Sequence, residues 1–236
     1  MAAPRLILLP GLDGTGELFG PLLGVLPNHL PIRVVGYPTD QPLRYDDLLG
    51  AIVGQLAAEE RMVLIAESFS GPLALRFAAM NPQRVQAVIL CASFIRSPLP
   101  QWLRFFARPG LFRLPPPAFA LRRLLLGRRA GSELVRMARD AIRKVRPQVL
   151  AARLEDVFDV DCTDALRQCT APILYLAAAR DALVPRSSVN AIRAIRSDVR
   201  VRTFDGPHLL LQSEPVAVWR EIEPFLEEIG AADSVR

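Results

Sequence analysis

Three side chains in this sequence have the types and order needed for acyl transfer: Ser68, Asp181 and His208. Ser68 lies in Met62-Val-Leu-Ile-Ala-Glu-Ser68-Phe-Ser-Gly-Pro-Leu-Ala-Leu-Arg-Phe77. Its apolar run reads as a buried strand, its small residues as a tight turn, and Pro72 onward as an amphipathic helix. A serine on a sharp strand-to-helix turn has its Oγ lifted off the sheet, and the helix N-terminus behind it favours developing negative charge. Ala66 and Ser70 occupy the glycine places of G-x-S-x-G, and both are small enough for backbones to pass closely.

Such a serine needs a base, and the chain holds two histidines. His29, in Pro27-Asn-His-Leu-Pro31, reads as an exposed turn residue. His208, in Asp205-Gly-Pro-His-Leu, falls between the last strand and the last helix. Catalytic groups collect at the carboxyl ends of parallel strands, which selects His208. Asp181, in Ala179-Arg-Asp-Ala-Leu-Val-Pro185, follows another strand and could accept the imidazole N–H. Asp205 precedes Gly-Pro and reads as a turn residue. The expected oxyanion hole consists of the backbone N–H groups of Phe69 and Leu12. Gly11, Gly14 and Gly16 let the loop at Leu12 bend close to Ser68. The same glycines do not make a phosphate loop, because neither G-x-G-x-x-G nor G-x-x-x-x-G-K-[ST] is present.

The elements that position these residues alternate. Strands are predicted at Arg5–Leu9, Ile32–Val35, Met62–Ala66, Val85–Cys91, Pro172–Ala178 and Val199–Phe204. Helices are predicted at Leu18–Leu26, Leu43–Ala58, Gly71–Met80, Arg186–Arg196 and Glu214–Ile229. This pattern means an α/β class, with a mostly parallel six-stranded sheet and helices on both faces. The alternation fails between Cys91 and Ala171. Prolines punctuate the first half of that stretch; two helices follow, one capped by Ser132 and one started by Pro147. The first would bury Leu134, Ala138, Ala141, Ile142 and Val145, and the second Leu150, Leu154, Val157 and Phe158. Residues 95–161 are therefore expected to form a helical lid on a core made of 1–94 and 162–236.

Of the 236 residues, 51% are hydrophobic, enough for a substantial core. No stretch approaches a membrane span, and the N-terminal apolar run is too short for a secretory signal. Cys91, Cys162 and Cys169 lack metal-ligand spacing and read as buried thiols in a reducing cytoplasm. Charge is unevenly placed within the net +5. Residues 96–153 carry fourteen cations against two acids, a net +12; the remainder carries fifteen cations and twenty-two acids, a net −7. Arg136, Arg139, Arg143 and Arg146 form a stripe at helical spacing. No DNA-reading motif accompanies it, so nucleic acid is not an expected partner.

Four segments in order resemble the α/β-hydrolase family. Leu8-Leu-Pro-Gly-Leu-Asp-Gly-Thr-Gly16 is similar to its oxyanion loop, with Pro10 where a histidine is common. Ile65-Ala-Glu-Ser-Phe-Ser-Gly71 resembles its nucleophile elbow, and Ala179–Pro185 and Gly206-Pro-His208 its acid and histidine segments. The resemblance covers the chain outside the lid and implies a fold lacking the family's first two strands, with strand order 2-1-3-4-5-6. It implies a serine hydrolase of carboxylic esters or thioesters, working through an acyl-enzyme without metal or cofactor. Activity should decline at acid pH, since the base must be neutral. Lid residues Leu99, Trp102, Leu103, Phe105, Phe106, Leu111 and Phe112 are the candidate acyl-pocket lining. The basic lid suits an anionic partner, whether an acyl carrier protein, coenzyme A or an acidic lipid surface; an acidic acyl carrier protein is the candidate, a resemblance to pimeloyl-acyl carrier protein methyl ester esterases and type II thioesterases. A lipase or lysophospholipase working at an anionic membrane surface and a non-hydrolytic binding scaffold are the alternative expectations.

Overall fold

The structure, a computed structural model, describes residues 4–233. Six parallel strands make one sheet: β1 (Arg5–Leu9), β2 (Ile32–Val34), β3 (Met62–Glu67), β4 (Val85–Cys91), β5 (Ile173–Ala178) and β6 (Arg200–Phe204). Their order is β2-β1-β3-β4-β5-β6, as expected. The chain passes outward from β1 to β2 and then back across β1 to β3, so the order reverses between β1 and β3. Open α/β sheets bind ligands in the crevice at such a reversal, beyond the carboxyl ends of the strands. Leu9 pairs with Ala66, so the loop after β1 and the turn after β3 leave the sheet side by side.

The central strands are buried on both faces, which explains their unbroken apolar runs. Leu64 and Ala66 point into one layer with Leu48 and Ile52 of helix Tyr45–Gln55, Leu73 and Phe77 of helix Gly71–Met80, and Ile192 of helix Arg186–Ile195. Val63 and Ile65 point into the other, with Leu22, Val218, Ile222 and Phe225. The final helix, Pro215–Asp233, covers this second face. Period-two alternation along β3 thus fills both layers. Cys91, Cys162 and Cys169 are free and buried. No helix among the described residues is long and apolar enough to cross a membrane.

Several element ends differ from expectation. The helix expected over Leu18–Leu26 is a 3₁₀ turn at Glu17–Phe19 followed by one helical turn, Gly20–Leu23. Gly20 and Gly24 supply little helix propensity there. The helix expected over Leu43–Ala58 runs from Tyr45 to Gln55. Asp156 Oδ2 accepts the Tyr45 N–H at 2.8 Å, so the start of that helix is capped by a residue distant in sequence. A short helix at Thr163–Gln168, which inserts Leu166 into the first layer, was not expected.

The insertion contains no named strand among the described residues. An isolated antiparallel bridge, Arg96 with Asp161, closes its base. Prolines confine its first half to 3₁₀ turns at Gln101–Phe106 and Pro109–Phe112. A short helix at Ala118–Leu121 follows and continues through a π-turn at Arg122–Leu126. Helices Ser132–Arg143 and Pro147–Asp159 complete the insertion. Gly131, not Ser132, occupies the cap position of the first, and no side chain caps it. Its buried face is Val135, Ala138 and Ala141, with Leu134 and Ile142 half-buried beside it. Arg136, Arg139, Arg143 and Arg146 are exposed.

Candidate active site

Ser68 follows the last residue of β3 directly and has a positive φ of 48°. A non-glycine residue in this region is strained and is held there only by its surroundings. Two such surroundings are visible. Ser93 Oγ donates to the Ser68 carbonyl at 2.6 Å. Ser93 is itself aimed by Ala92, the other positive-φ non-glycine residue (φ 45°), and by Tyr175, whose hydroxyl donates to the Ser93 carbonyl at 2.6 Å. A Cβ at Gly71 would fall 1.9 Å from Ser93 Oγ, so only glycine allows this approach.

His208 and Asp181 arrive from the ends of β6 and β5. His208 Nε2 lies 2.9 Å from Ser68 Oγ, and His208 Nδ1 lies 2.8 Å from Asp181 Oδ2. The other Asp181 oxygen accepts the N–H groups of Leu183 and Val184 at 2.8 and 2.9 Å. A carboxylate can only accept, so Nδ1 carries the imidazole proton and the Nε2 lone pair faces the serine hydroxyl. Both the imidazole and the carboxylate are buried. His29 is exposed in its turn, and Asp205 is exposed and pairs with Arg180 at 3.0 Å.

Leu12 and Phe69 line a cavity together with Ser68 and His208. Phe69 is anchored in place: its ring stacks on Tyr45 at 4.6 Å and its carbonyl accepts the Tyr45 hydroxyl at 2.9 Å. Gly11-Leu-Asp-Gly14 is a tight turn closed by the Gly14 N–H on the Gly11 carbonyl at 3.1 Å, with Gly14 at φ 70°. The serine in a glycine place has its own use. Ser70 Oγ donates to the Pro10 carbonyl, and Tyr37 Oη, 2.6 Å away, must then be the donor to Ser70. Ser70 therefore joins the turn after β3 to the loop after β1, a role glycine could not fill.

The cavity has a volume of about 300 Å³ and is almost wholly apolar. Its walls include Leu18, Phe94, Leu150, Leu154, Val157 and Leu183. Of the candidate acyl-pocket residues, Leu99, Leu111 and Phe112 line it, whereas Trp102, Leu103, Phe105 and Phe106 do not. Trp102 is 71% exposed and Phe105 58%. In a 3₁₀ helix, side chains three apart share a face. The Gln101–Phe106 turn presents that face outward, where Arg108 lies over the Phe105 ring at 4.0 Å.

No motif in the sequence assigns Glu67 a role, although a carboxylate ending a fully buried strand is itself a signal. Its Oε2 accepts from Gln212 Nε2 at 3.2 Å, and its Oε1 is buried without a partner. Burial pushes the Glu67 carboxyl up to about 7, against the pull of His208. Between the ordinary carboxylate range and pH 7 the folded chain thus holds a proton that the unfolded chain releases. This contribution to stability is present at low pH and is lost as pH rises through about 7. Glu67→Gln should therefore gain stability relative to wild type between pH 5 and pH 8, by about 2 kcal/mol. Parallel urea titrations at the two pH values measure this, and an unchanged difference would mean that Glu67 titrates normally.

Residues 6–221 match the family model described as the alpha/beta hydrolase family. The chain belongs to that family. It is 26% identical over 251 residues to the biotin biosynthesis bifunctional protein BioHC of Cellvibrio japonicus, covering 98% of this chain and 49% of that protein. The chain thus spans about half the length of that relative. It is 29% identical over 223 residues to the pimeloyl-[acyl-carrier protein] methyl ester esterase of Xanthomonas campestris, covering 86% of this chain and 87% of the relative. Among solved structures, the enol-lactonase of Burkholderia xenovorans superposes with a TM-score of 0.82 at 19% identity, over 96% of this chain and 92% of the other. At that identity the likeness shows the fold. An alpha/beta hydrolase with relatives named as esterases agrees with the expectation of a carboxylic ester hydrolase.

Proposed function

We propose that this protein hydrolyses a carboxylic ester or thioester of an apolar acyl chain through Ser68, His208 and Asp181. The observation that carries this reading is the hydrogen-bonded series Ser68–His208–Asp181 at the floor of an apolar cavity. His208 Nε2 takes the Ser68 proton as Oγ attacks the acyl carbonyl. The N–H groups of Leu12 and Phe69 receive the oxyanion. The intermediate expels the alcohol or thiol, which takes its proton from His208. Water, deprotonated by His208, then releases the acid from Ser68, while Asp181 holds the imidazole tautomer throughout. A fluorophosphonate probe should label Ser68 stoichiometrically, as read by peptide mass, and esters of varied acyl length should be turned over. A chain that neither labels nor turns over any ester is not a hydrolase.

The acyl group is proposed to arrive on an acidic acyl carrier. Supporting this are the relatives named for such substrates and a set of exposed arginines on the insertion: Arg113, Arg123, Arg128, Arg129, Arg136, Arg139, Arg143 and Arg146. None of these eight makes an ion pair among the described residues, so their charge faces outward. Steering by such a surface raises association rates and weakens with salt. Raising salt from 50 to 500 mM should lower kcat/KM for an acyl-carrier ester by about tenfold, while the same acyl group on a neutral alcohol changes less than about twofold. Equal salt dependence would remove the carrier. The exposed Trp102, Phe105, Leu114 and Phe119 favour a second reading, a lipase at an anionic membrane. Co-sedimentation with anionic but not neutral liposomes would select it.

A further inference from the structure

Arg153 is the one arginine of the insertion with no exposed surface, and its guanidinium meets backbone carbonyls in place of carboxylates. Nη1 donates to the carbonyls of Leu12 at 2.9 Å and Asp13 at 2.7 Å. Nη2 donates to the Pro38 carbonyl at 2.8 Å, and Nε is buried without a partner. The guanidinium lies 5.6 Å from the Tyr37 ring centre. Among the described residues no carboxylate is within ion-pair distance of it. A desolvated cation held by neutral acceptors is a costly way to fasten a helix to a core.

The geometry points to a more specific use. Leu12 and Asp13 are the two central residues of the Gly11–Gly14 turn, and one guanidinium nitrogen binds both of their carbonyls. Fixing those carbonyls fixes the Leu12–Asp13 and Asp13–Gly14 peptide planes. The second plane carries the Gly14 N–H, whose bond to the Gly11 carbonyl sets the Gly11–Leu12 plane and with it the direction of the Leu12 N–H. Gly14 is part of the same fit, because a Cβ there would fall 2.5 Å from Arg153 Nη1. The turn is held from below by Ser70 on the Pro10 carbonyl, and from the insertion side by Arg153.

We propose that Arg153 is the positioning residue of the oxyanion loop, holding the Leu12 N–H at the angle that the transition state requires. The inference rests on the hydrolase reading above. A misplaced oxyanion donor weakens binding of the transition state and leaves the ground-state acyl pocket intact. Arg153→Met replaces the cation by an apolar chain of similar length, and Arg153→Lys keeps the charge but offers a single nitrogen in place of the fork.

The experiment measures kcat per site titrated by a fluorophosphonate, with a short p-nitrophenyl ester, and the inhibition constant of a matching trifluoromethyl ketone. The ketone forms a tetrahedral oxyanion on the serine. For Arg153→Met, kcat per titrated site should fall about ten- to a hundredfold, with KM within about twofold. The ketone should weaken by the same factor as kcat/KM, and Arg153→Lys should fall between Met and wild type. Wild-type kcat per titrated site in both variants, whatever their melting temperature, would make Arg153 a structural fastener and overturn the proposal. If Arg153→Met fails to fold, wild-type values for Arg153→Lys alone would overturn it. A wild-type protein that does not titrate at Ser68 would remove the hydrolase reading itself, and the inference with it.

Discussion

Ser68→Ala should lower kcat for a short p-nitrophenyl ester by about four to six orders of magnitude while the protein remains folded. The loss is large because, in the proposed reaction, proton transfer to His208, attack and the acyl-enzyme all require Oγ. The hydroxyl lies 2.9 Å from His208 Nε2, so its removal leaves one buried imidazole nitrogen without a partner. That costs about 1 kcal/mol, or roughly 2–4 °C in melting temperature for a chain of this length. The strained φ of 48° is retained in alanine, so the turn need not rearrange. Turnover and far-ultraviolet melting on the same preparation separate chemistry from stability. A folded Ser68→Ala variant with wild-type turnover would place the nucleophile elsewhere.

The second large effect is expected for Asp181→Asn, a change of one atom that should lower kcat about ten-thousandfold. Asp181 Oδ1 already accepts two backbone N–H groups, from Leu183 and Val184. An asparagine must therefore keep its carbonyl oxygen on that side and turn its NH₂ toward His208 Nδ1. Two donors cannot face each other, so the imidazole proton shifts to Nε2 and points at Ser68 Oγ. A histidine that donates to the nucleophile cannot take its proton. The expected signature is a large loss in kcat with KM little changed and a near-wild-type melting temperature. If kcat falls less than about tenfold, the tautomer of His208 is not set by Asp181.

Much of this site could be read in the sequence, for identifiable reasons. The apolar runs marked the strands because a parallel sheet covered on both faces leaves no polar alternation. With one histidine in a polar turn and the other beyond the last strand, the sequence already favours His208 as the partner of Ser68, and the two lie 2.9 Å apart. Glu67 and Arg153 leave only a fainter trace in the sequence. Glu67 ends a strand with no other polar residue, and Arg153 shares the helical stripe of Leu150, Leu154 and Val157, where a cation should not be.

What the sequence by itself determined is therefore the local and the ordered: six strands, their alternation with helices, and a serine, an aspartate and a histidine each placed beyond a strand's carboxyl end. Periodicity and chain order carry that information without knowledge of neighbours. Only the tertiary structure decided which groups meet across the reversal between β1 and β3. It turned Phe112 inward and Trp102, Phe105 and Phe106 outward, because the inward face of a 3₁₀ turn depends on what packs behind it. It also set Ser70 on the Pro10 carbonyl and Arg153 on those of Leu12 and Asp13. Such contacts join backbone groups with residues up to 141 positions away, and no local pattern encodes them.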